Sequence, residues 1–464
     1  MVPERVAQVL ADVAPLGDRF AAAGYRLYLV GGIVRDLVLG RPVSADYDLT
    51  TDARPDETKK ILIDWADAVW TQGERFGTIG AQRAGLTFEI TTHRAEAYSS
   101  DSRKPEVAFA DAVEHDLARR DFTVNAMALT LPDPVLIDPY GGASDLAARR
   151  LRTPMTPHES FSDDPLRMLR AARFIASYGL TPDRDLVDAV TSMRERMAIV
   201  SAERVRDEFD KLLTVDRPSA GLWFIVETKL AEVFLPELLA MQLEQDPIHR
   251  HKDVLAHTIA VIENVRPDMP GSFRHTRLSA LFHDVGKPKT RGYTKSKGVT
   301  FHHHEVVGAR MTRERMLALR YSNEDVERVT RLVELHLRFH TYKMGWTDSA
   351  VRRYVRDAGD LLTELNVLTR CDCTTRNERK AQQLARRIDE LEERIEILNS
   401  QEELRSMRPD LDGNDVMELL GVGPGPIVGR ALSFLLELRL EEGPLGREQA
   451  TRRLCDWAER ELRA

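Results

Sequence analysis

"LVGGIVRDLVLGRPVSADYDLT" (29–50) is the stretch on which the reading of this chain turns. "RLYLV" (26–30) predicts a short buried strand ending at Gly31-Gly32, "IVRDLVLG" a helix closed by Gly40, and "ADYDLT" a second strand. A strand sends residues i and i+2 to one face, so Asp46 and Asp48 point together with Tyr47 opposite. Two such carboxylates repel unless a cation lies between them, and oxygen-only ligands favour Mg²⁺. A turn or a solvated pair also reads D-x-D, so the surroundings decide. Gly31-Gly32 precedes a helix N-terminus, where backbone N–H groups and the dipole favour a phosphate, and Arg35 lies one turn along. Glu89, on a later strand, supplies a third acid. These are the parts of a two-metal phosphoryl-transfer site, with ions about 3.5–4 Å apart.

Around that stretch the first part of the chain mixes periodicities. "GTIGAQRAGLTFEITTHR" (77–94) predicts a hairpin turned near Ala84-Gly85, and "DLARRDFTVNAMAL" (116–129) has helical spacing. From about residue 145 strand signals nearly vanish and arginine- and glutamate-bearing amphipathic helices dominate. Pro and paired Gly in "DPYGGASD" (138–145) mark one boundary, and "EQDPIHRH" (244–251) opens a histidine-rich region that marks another. A long charged helix begins at "ERKAQQLARRIDELEERIEILNSQEEL" (378–404). We therefore expect segments 1–140, 141–243, 244–377 and 378–464. The expected class is α+β: an α/β head with a mixed sheet, an all-α neck and body, a further helical domain and a helical tail.

The chain has 464 residues, 42% apolar and 30% charged, which describes a folded chain of three or four domains at about 100–200 residues each. "MVPERVAQVLADVAPLGDRF" (1–20) breaks its apolar positions with charges and predicts an amphipathic helix, not a secretion signal. No apolar run approaches the ~20 residues of a membrane span, so no membrane partner is expected. Cys371, Cys373 and Cys455 make no disulfide framework, and the cytoplasm is the expected compartment. The net charge of −8 does not argue against nucleic acid, since a local basic face matters more. "AARRLR" (147–152), "RMLRAAR" (167–173) and "VRRYVR" (351–356) are solvated faces or parts of a polyanion track.

"LVGGIVRDLVLGR…ADYDLT" with "FEITTHR" (88–94) and "LARRDFTVNAMAL" (117–129) closely resembles bacterial class II tRNA nucleotidyltransferases, and the same motifs occur in bacterial poly(A) polymerases. The resemblance implies that Gly31, Gly32, Arg35, Asp46 and Asp48 bind the triphosphate and metals. It implies that Arg119, Arg120, Asp121 and Asn125 contact the nucleotide, its ribose in particular. "DDPLR" (163–167) resembles the family's base-selecting element, which implies Asp164 and Arg167, three apart and expected on one helix face. A carboxylate acceptor beside a guanidinium donor matches the amine and ring nitrogen that cytosine and adenine share, and mismatches uracil and guanine. "SAERVRDEF" (201–209) resembles a structural motif, with Glu203, Arg204 and Glu208 expected as internal ion pairs. "RAEAYSSDSRKPEV" (94–107) is similar to the loop that assists the switch from CTP to ATP, and its length favours full CCA addition over CC addition.

A second constellation is "VLAHT" (254–258), "LFHDVGK" (281–287), "HHHEVVGA" (302–309), "LVELHL" (332–337) and "RCDC" (370–373). Imidazoles and carboxylates suit a divalent Mn, Fe, Ni or Co ion. The order H…HD…D resembles the HD phosphohydrolase superfamily, which implies His257, His283, Asp284 and Asp372 as ligands. His304 and His336 then fit the extra ligands of two-metal members, with His302 and His303 leaving that choice open. The domain is either a phosphohydrolase or a retained scaffold. "GVGPGPIVGRAL" (421–432) predicts a glycine turn entering a helix, either a phosphate contact or plain packing, in a tail resembling one that grips tRNA.

The expected function is template-independent addition of C, C and A to a tRNA 3′ end from CTP and ATP, with Mg²⁺ in the head. A-addition alone, poly(A) synthesis, or HD hydrolysis with a head that only binds RNA are the alternatives.

Overall fold

The computed structural model describes residues 4–43, 45–94, 109–243, 253–294, 298–341, 346–375, 377–402 and 407–463. They form two compact units, Met1–Pro236 and Glu237–Ala464. The loop 94–107, apart from Arg94, lies outside the described residues, as does the expected boundary at 244–251.

The first unit is built on one seven-stranded sheet. Its strands are β1 (Leu27–Val30), β2 (Asp46–Thr51), β3 (Ala68–Trp70), β4 (Thr78–Arg83), β5 (Leu86–Thr92), β6 (Ala128–Leu131) and β7 (Leu136–Ile137). Their order is β3-β4-β5-β2-β1-β6-β7, and β2 and β5 run parallel while the other pairs are antiparallel. The sheet is therefore mixed, as expected. All four residues of β1 are buried, the signature of a central strand covered on both faces. The β4–β5 hairpin turns at Ala84-Gly85, both with positive φ (51° and 82°), the backbone twist that two-residue hairpin turns require. Helix α1 (Glu4–Ala22) packs beside β1 and β6, burying Val13, Leu16 and Phe20. Helix α2 (Gly32–Val38) leaves β1 directly, and α3 (Pro55–Leu62) starts at Pro55 with Asp56 and Glu57 in its first turn.

One expectation fails within the head. Residues 116–129 are not one helix: α4 (Val113–Ala118) ends before Arg119, a 3-10 turn spans Thr123–Asn125, and β6 begins at Ala128. The Asp121 carboxylate accepts from Phe122 N (2.9 Å) and from Asn125 Nδ2 (2.9 Å), offering local bonds that compete with a helix. The apolar residues after it complete the sheet instead.

After the sheet the unit is helical. Helix Leu166–Tyr178 packs against Ala202–Leu213 and Ser219–Glu227. Helix Pro157–Asp163 starts in a capping box between Thr156 and Glu159. Asp164 has extended backbone (φ −141°), as the residue before Pro165 prefers, so it stands outside both flanking helices. Asp164 and Arg167 thus do not share a helix face. In "SAERVRDEF", Glu208 and Arg204 pair with residues outside the motif, whereas Arg206 pairs with its neighbour Asp207 (2.7 Å). Glu208 meets Arg173 (2.5 Å) and Arg170 (3.9 Å), and Arg204 meets Asp164 (2.8 Å). Glu208 is buried and can pair only with a helix packed on it.

The second unit is a helical bundle, chiefly Val254–Asn264, Phe273–Phe282, His304–Ala318, Asn323–Leu335 and Leu362–Cys371. One hairpin, Arg291–Thr294 with Gly298–Phe301, interrupts the helices where no strand was expected. The long helix is Glu378–Glu402, and the tail helices Gly413–Leu420, Pro426–Glu442 and Arg447–Arg463 enclose a small core of Leu411, Val416, Leu435 and Leu454. Buried Arg352 donates to the Leu440 and Glu441 carbonyls, tying the tail to helix Asp348–Ala358. Among the described residues no helix is long and apolar enough to cross a membrane.

Candidate functional site

In the head, strand register builds the site. Asp46 and Asp48 occupy alternate exposed positions on β2, with Tyr47 buried between them. The parallel pairing sets Asp48 directly opposite Glu89, itself an exposed residue on β5. The three acids therefore emerge on one face and raise one another's charge cost. Enclosure is the largest influence on Asp48 and lifts its pKa; Arg120 opposes this and Asp46 adds to it. Glu89 is lifted by enclosure and then by Asp48 and Asp46. All-oxygen donors with mutual repulsion fit a hard divalent cation, which would be held by Asp46, Asp48 and Glu89.

Asp48 and Glu89 line a cleft of about 270 Å³ together with Val30, Leu49, Thr91, Arg94, Asp116, Arg119 and Arg120. Gly31 closes its edge with φ 76°, and a Cβ there would fall 2.8 Å from Arg120 Nη1 and 3.9 Å from Asp48 Oδ2. Arg120 thus lies against the glycine turn, and buried Asp116 holds it there at 3.2 Å. Cation and carboxylates face one cavity, an arrangement suited to a triphosphate with its metals.

Arg35 and Asp121 take other places. Arg35 is buried, pairs with Asp36 (2.9 Å), donates to Asn125 Oδ1 (2.6 Å) and stacks over Tyr178 (4.3 Å). Asp121 is buried against Arg170 (2.5 Å); burial alone would raise its pKa, but Arg170, Asn125 and Arg167 outweigh that and hold it at about 2. The chain Arg35–Asn125–Asp121–Arg170 fixes the orientation of the Asn125 amide.

Beside the cleft, a second pocket of about 260 Å³ is lined by His115, Ala118, Arg119, Met155, Ser160, Asp163 and Arg167. Arg167 donates to Ser160 Oγ (2.9 Å) and to the Arg119 carbonyl, which pins the guanidinium across the head and the body.

The second unit gathers the expected histidines around Asp284. Its Oδ2 lies 3.2 Å from His283 Nε2 and 3.5 Å from His257 Nε2, and its Oδ1 lies 3.3 Å from His304 Nε2 and 4.0 Å from His336 Nε2. Asp372 Oδ1 completes the set, 2.9 Å from His257 and 3.6 Å from His283. In His283, His304 and His336, Nδ1 is bonded to the carbonyl three residues back (2.8, 2.8 and 2.6 Å), which turns Nε2 inward as a lone-pair donor. The buried Nε2 atoms of His304 and His336 make no hydrogen bond. Burial drives His336 down to about 3, keeping it neutral, while buried Asp284 and half-buried Asp372 are held below the usual carboxylate range by the facing histidines. Ionised carboxylates and neutral His336 are ligand forms of a divalent metal, whereas in His283 burial is outweighed by Asp284 and Asp372, which raise its pKa, and a metal would displace its proton; Asp284 offers one oxygen to each half of the cluster. In the histidine run, His304 points inward, while His302 and His303 are exposed.

Residues 27–152 match the poly A polymerase head domain, 179–241 the probable RNA and SrmB-binding site of polymerase A, and 254–377 the HD domain. The A-adding tRNA nucleotidyltransferase of Deinococcus radiodurans is 32% identical over 441 residues, 93% of this chain and 95% of that protein. The chain belongs to the tRNA nucleotidyltransferase family. A CCA-adding enzyme of Lacticaseibacillus paracasei is 39% identical over 228 residues, covering 49% of this chain and 55% of that protein. In fold, the chain matches the Bacillus stearothermophilus CCA-adding enzyme solved with CTP, at TM-score 0.71 and 23% identity over 98% of this chain and 99% of the other.

In this tRNA nucleotidyltransferase, sequence reasoning passed over Asp116 and Arg94 in the cleft, and His115, Met155 and Asp163 in the adjoining pocket. The i,i+4 spacing of Asp116 and Arg120 was a usable signal for the first. Nothing in the spacing marks Met155.

Proposed function

We propose that the chain adds C, C and A to the 3′ end of tRNA from CTP and ATP and releases pyrophosphate. The observation that carries this is the register that sets Asp48 against Glu89, with Asp46 on the same face and Arg120 beside Gly31. In this reading Asp46, Asp48 and Glu89 hold Mg²⁺. Divalent cations bound there supply positive charge to the triphosphate and the attacking hydroxyl. The tRNA 3′-hydroxyl attacks the α-phosphate in line, and pyrophosphate leaves. Arg120, Arg119 and the glycine turn bind the triphosphate, and Asn125, oriented by Asp121 and Arg35, meets the ribose. Asp164 and Arg167 read the base, with Arg167 facing the adjoining pocket. Catalysis is then positioning plus electrostatics.

The four-segment division goes with this reading: addition by 1–140 with the body 141–243, metal chemistry by 244–377, and RNA contact by the tail 378–464. The HD centre is assigned a Mn, Fe, Ni or Co ion and a phosphohydrolase activity separate from addition. The compartment we assign is the cytoplasm, where tRNA is processed.

A second reading, A-addition alone, has one observation behind it: an A-adding enzyme is similar along 93% of the chain, as is the CC-adding enzyme of Thermus thermophilus along 92%. The deciding experiment incubates the protein with tRNA ending before CCA, with CTP or ATP alone and with both. CTP incorporation followed by one A is expected. No CTP incorporation, with A added to tRNA ending in CC, establishes the second reading.

A further inference from the structure

Asp164 is held from two sides. Its Oδ1 accepts from Leu166 N (3.2 Å) and its Oδ2 from Arg204 Nη2 (2.8 Å), forty positions along the chain. The first contact is local and comes with the turn into helix Leu166–Tyr178. The second comes from the first turn of another helix, Ala202–Leu213, whose cap Ser201 accepts from Arg204 N. Arg167, the donor of the pair, is fixed independently by Ser160 and the Arg119 carbonyl.

The Arg204–Asp164 ion pair contributes little to stability. The two side chains are 55% and 28% exposed, and solvent screens a pair of this kind. Its effect on geometry is larger. A carboxylate held at one oxygen pivots about its χ2 axis; held at both, its plane and remaining lone pairs are set. Reading one amine edge against another requires that setting, because discrimination comes from leaving the wrong base's polar groups unpaired.

We propose that Arg204 is a positioning residue for base selection: it fixes the Asp164 carboxylate plane so that its free lone pairs present an acceptor beside Arg167. This rests on the reading of Asp164 and Arg167 as the base-selecting pair. Arg204 itself touches no nucleotide in this account and acts through Asp164.

The test measures single-nucleotide addition with CTP and with UTP for the full chain and for Arg204→Ala, Arg204→Gln, Arg204→Lys and Arg167→Ala. Arg204→Ala and Arg204→Gln should each lower the ratio of kcat/KM for CTP over UTP about tenfold, mainly through a raised KM for CTP. Arg204→Lys, which keeps a donor, should recover most of the ratio, and the melting temperature should stay at the wild-type value in all three. An unchanged ratio in both Arg204→Ala and Arg204→Gln, with a collapsed ratio in Arg167→Ala, overturns the role of Arg204 alone. An unchanged ratio in Arg167→Ala overturns the base-reading assignment, and Arg204 falls with it.

Discussion

Asp46, Asp48 and Glu89 stand on the exposed face of two paired strands, whereas His283, Asp284, His304 and His336 are buried among helices. Both clusters concentrate donors that favour a cation, yet they are built for different exchange. The head cleft is open and all-oxygen, so its cations can arrive with a triphosphate and leave with pyrophosphate. The HD centre is closed, nitrogen-rich and preset by Nδ1 contacts to backbone carbonyls, which suits a resident ion. The two donor sets thus differ in how readily an ion held there would exchange.

The largest effect should separate the two centres. Asp48→Asn should lower nucleotide addition by about three orders of magnitude, as loss of a group aimed at developing charge does, and leave HD metal content unchanged. Metal loss in that variant breaks the comparison, because the two clusters would then not be independent. His336→Ala should lower HD metal affinity about a hundredfold, read as metal per protein by mass spectrometry, with addition to tRNA unaltered. A smaller effect concerns what supports the open site. Asp121→Asn leaves Arg170 facing a neutral amide and should cost about 2–3 kcal/mol in denaturant unfolding.

The pH dependence of that last variant has a definite sign. The Asp121 pKa falls from 3.8 to about 2 on folding, so its contribution is complete above pH 4 and is lost as pH falls through about 2. Wild-type protein should therefore lose on the order of 2 kcal/mol across that window, a segment of the acid-unfolding curve that Asp121→Asn lacks.

The period-two pattern of "ADYDLT" placed Asp46 and Asp48 correctly, and the glycine pair foretold a turn whose missing Cβ admits Arg120. The gathering of the HD histidines and aspartates was legible because imidazole and carboxylate are scarce enough on apolar helices to be counted. Their inward direction was not, since it depends on which histidine of a run begins a helix; His303 sits at φ 59° and His304 opens the helix. That Asp121 and Arg35 are buried was not legible, because their motif spacing says nothing of burial. Only the arrival of Arg170 from a helix far along the chain turns Asp121 into an internal anchor. The pairs Glu208–Arg173 and Arg204–Asp164 escaped for the same reason, since local spacing cannot show partners brought by packing.

Arg167 has a consequence for how this protein can be divided. Its guanidinium is bonded to a carbonyl at Arg119, inside the stretch matching the head domain, although Arg167 itself lies beyond that stretch. A fragment cut at residue 152 would carry the acids but not Arg167, and Asp121 would be left as an ionised group facing water where Arg170 had been. On the proposed reading of Arg167, chemistry and choice of nucleotide are therefore not inherited separately by swapping the sheet alone. A chimera that exchanges nucleotide preference must carry the helix Leu166–Tyr178 together with the strands it leans on.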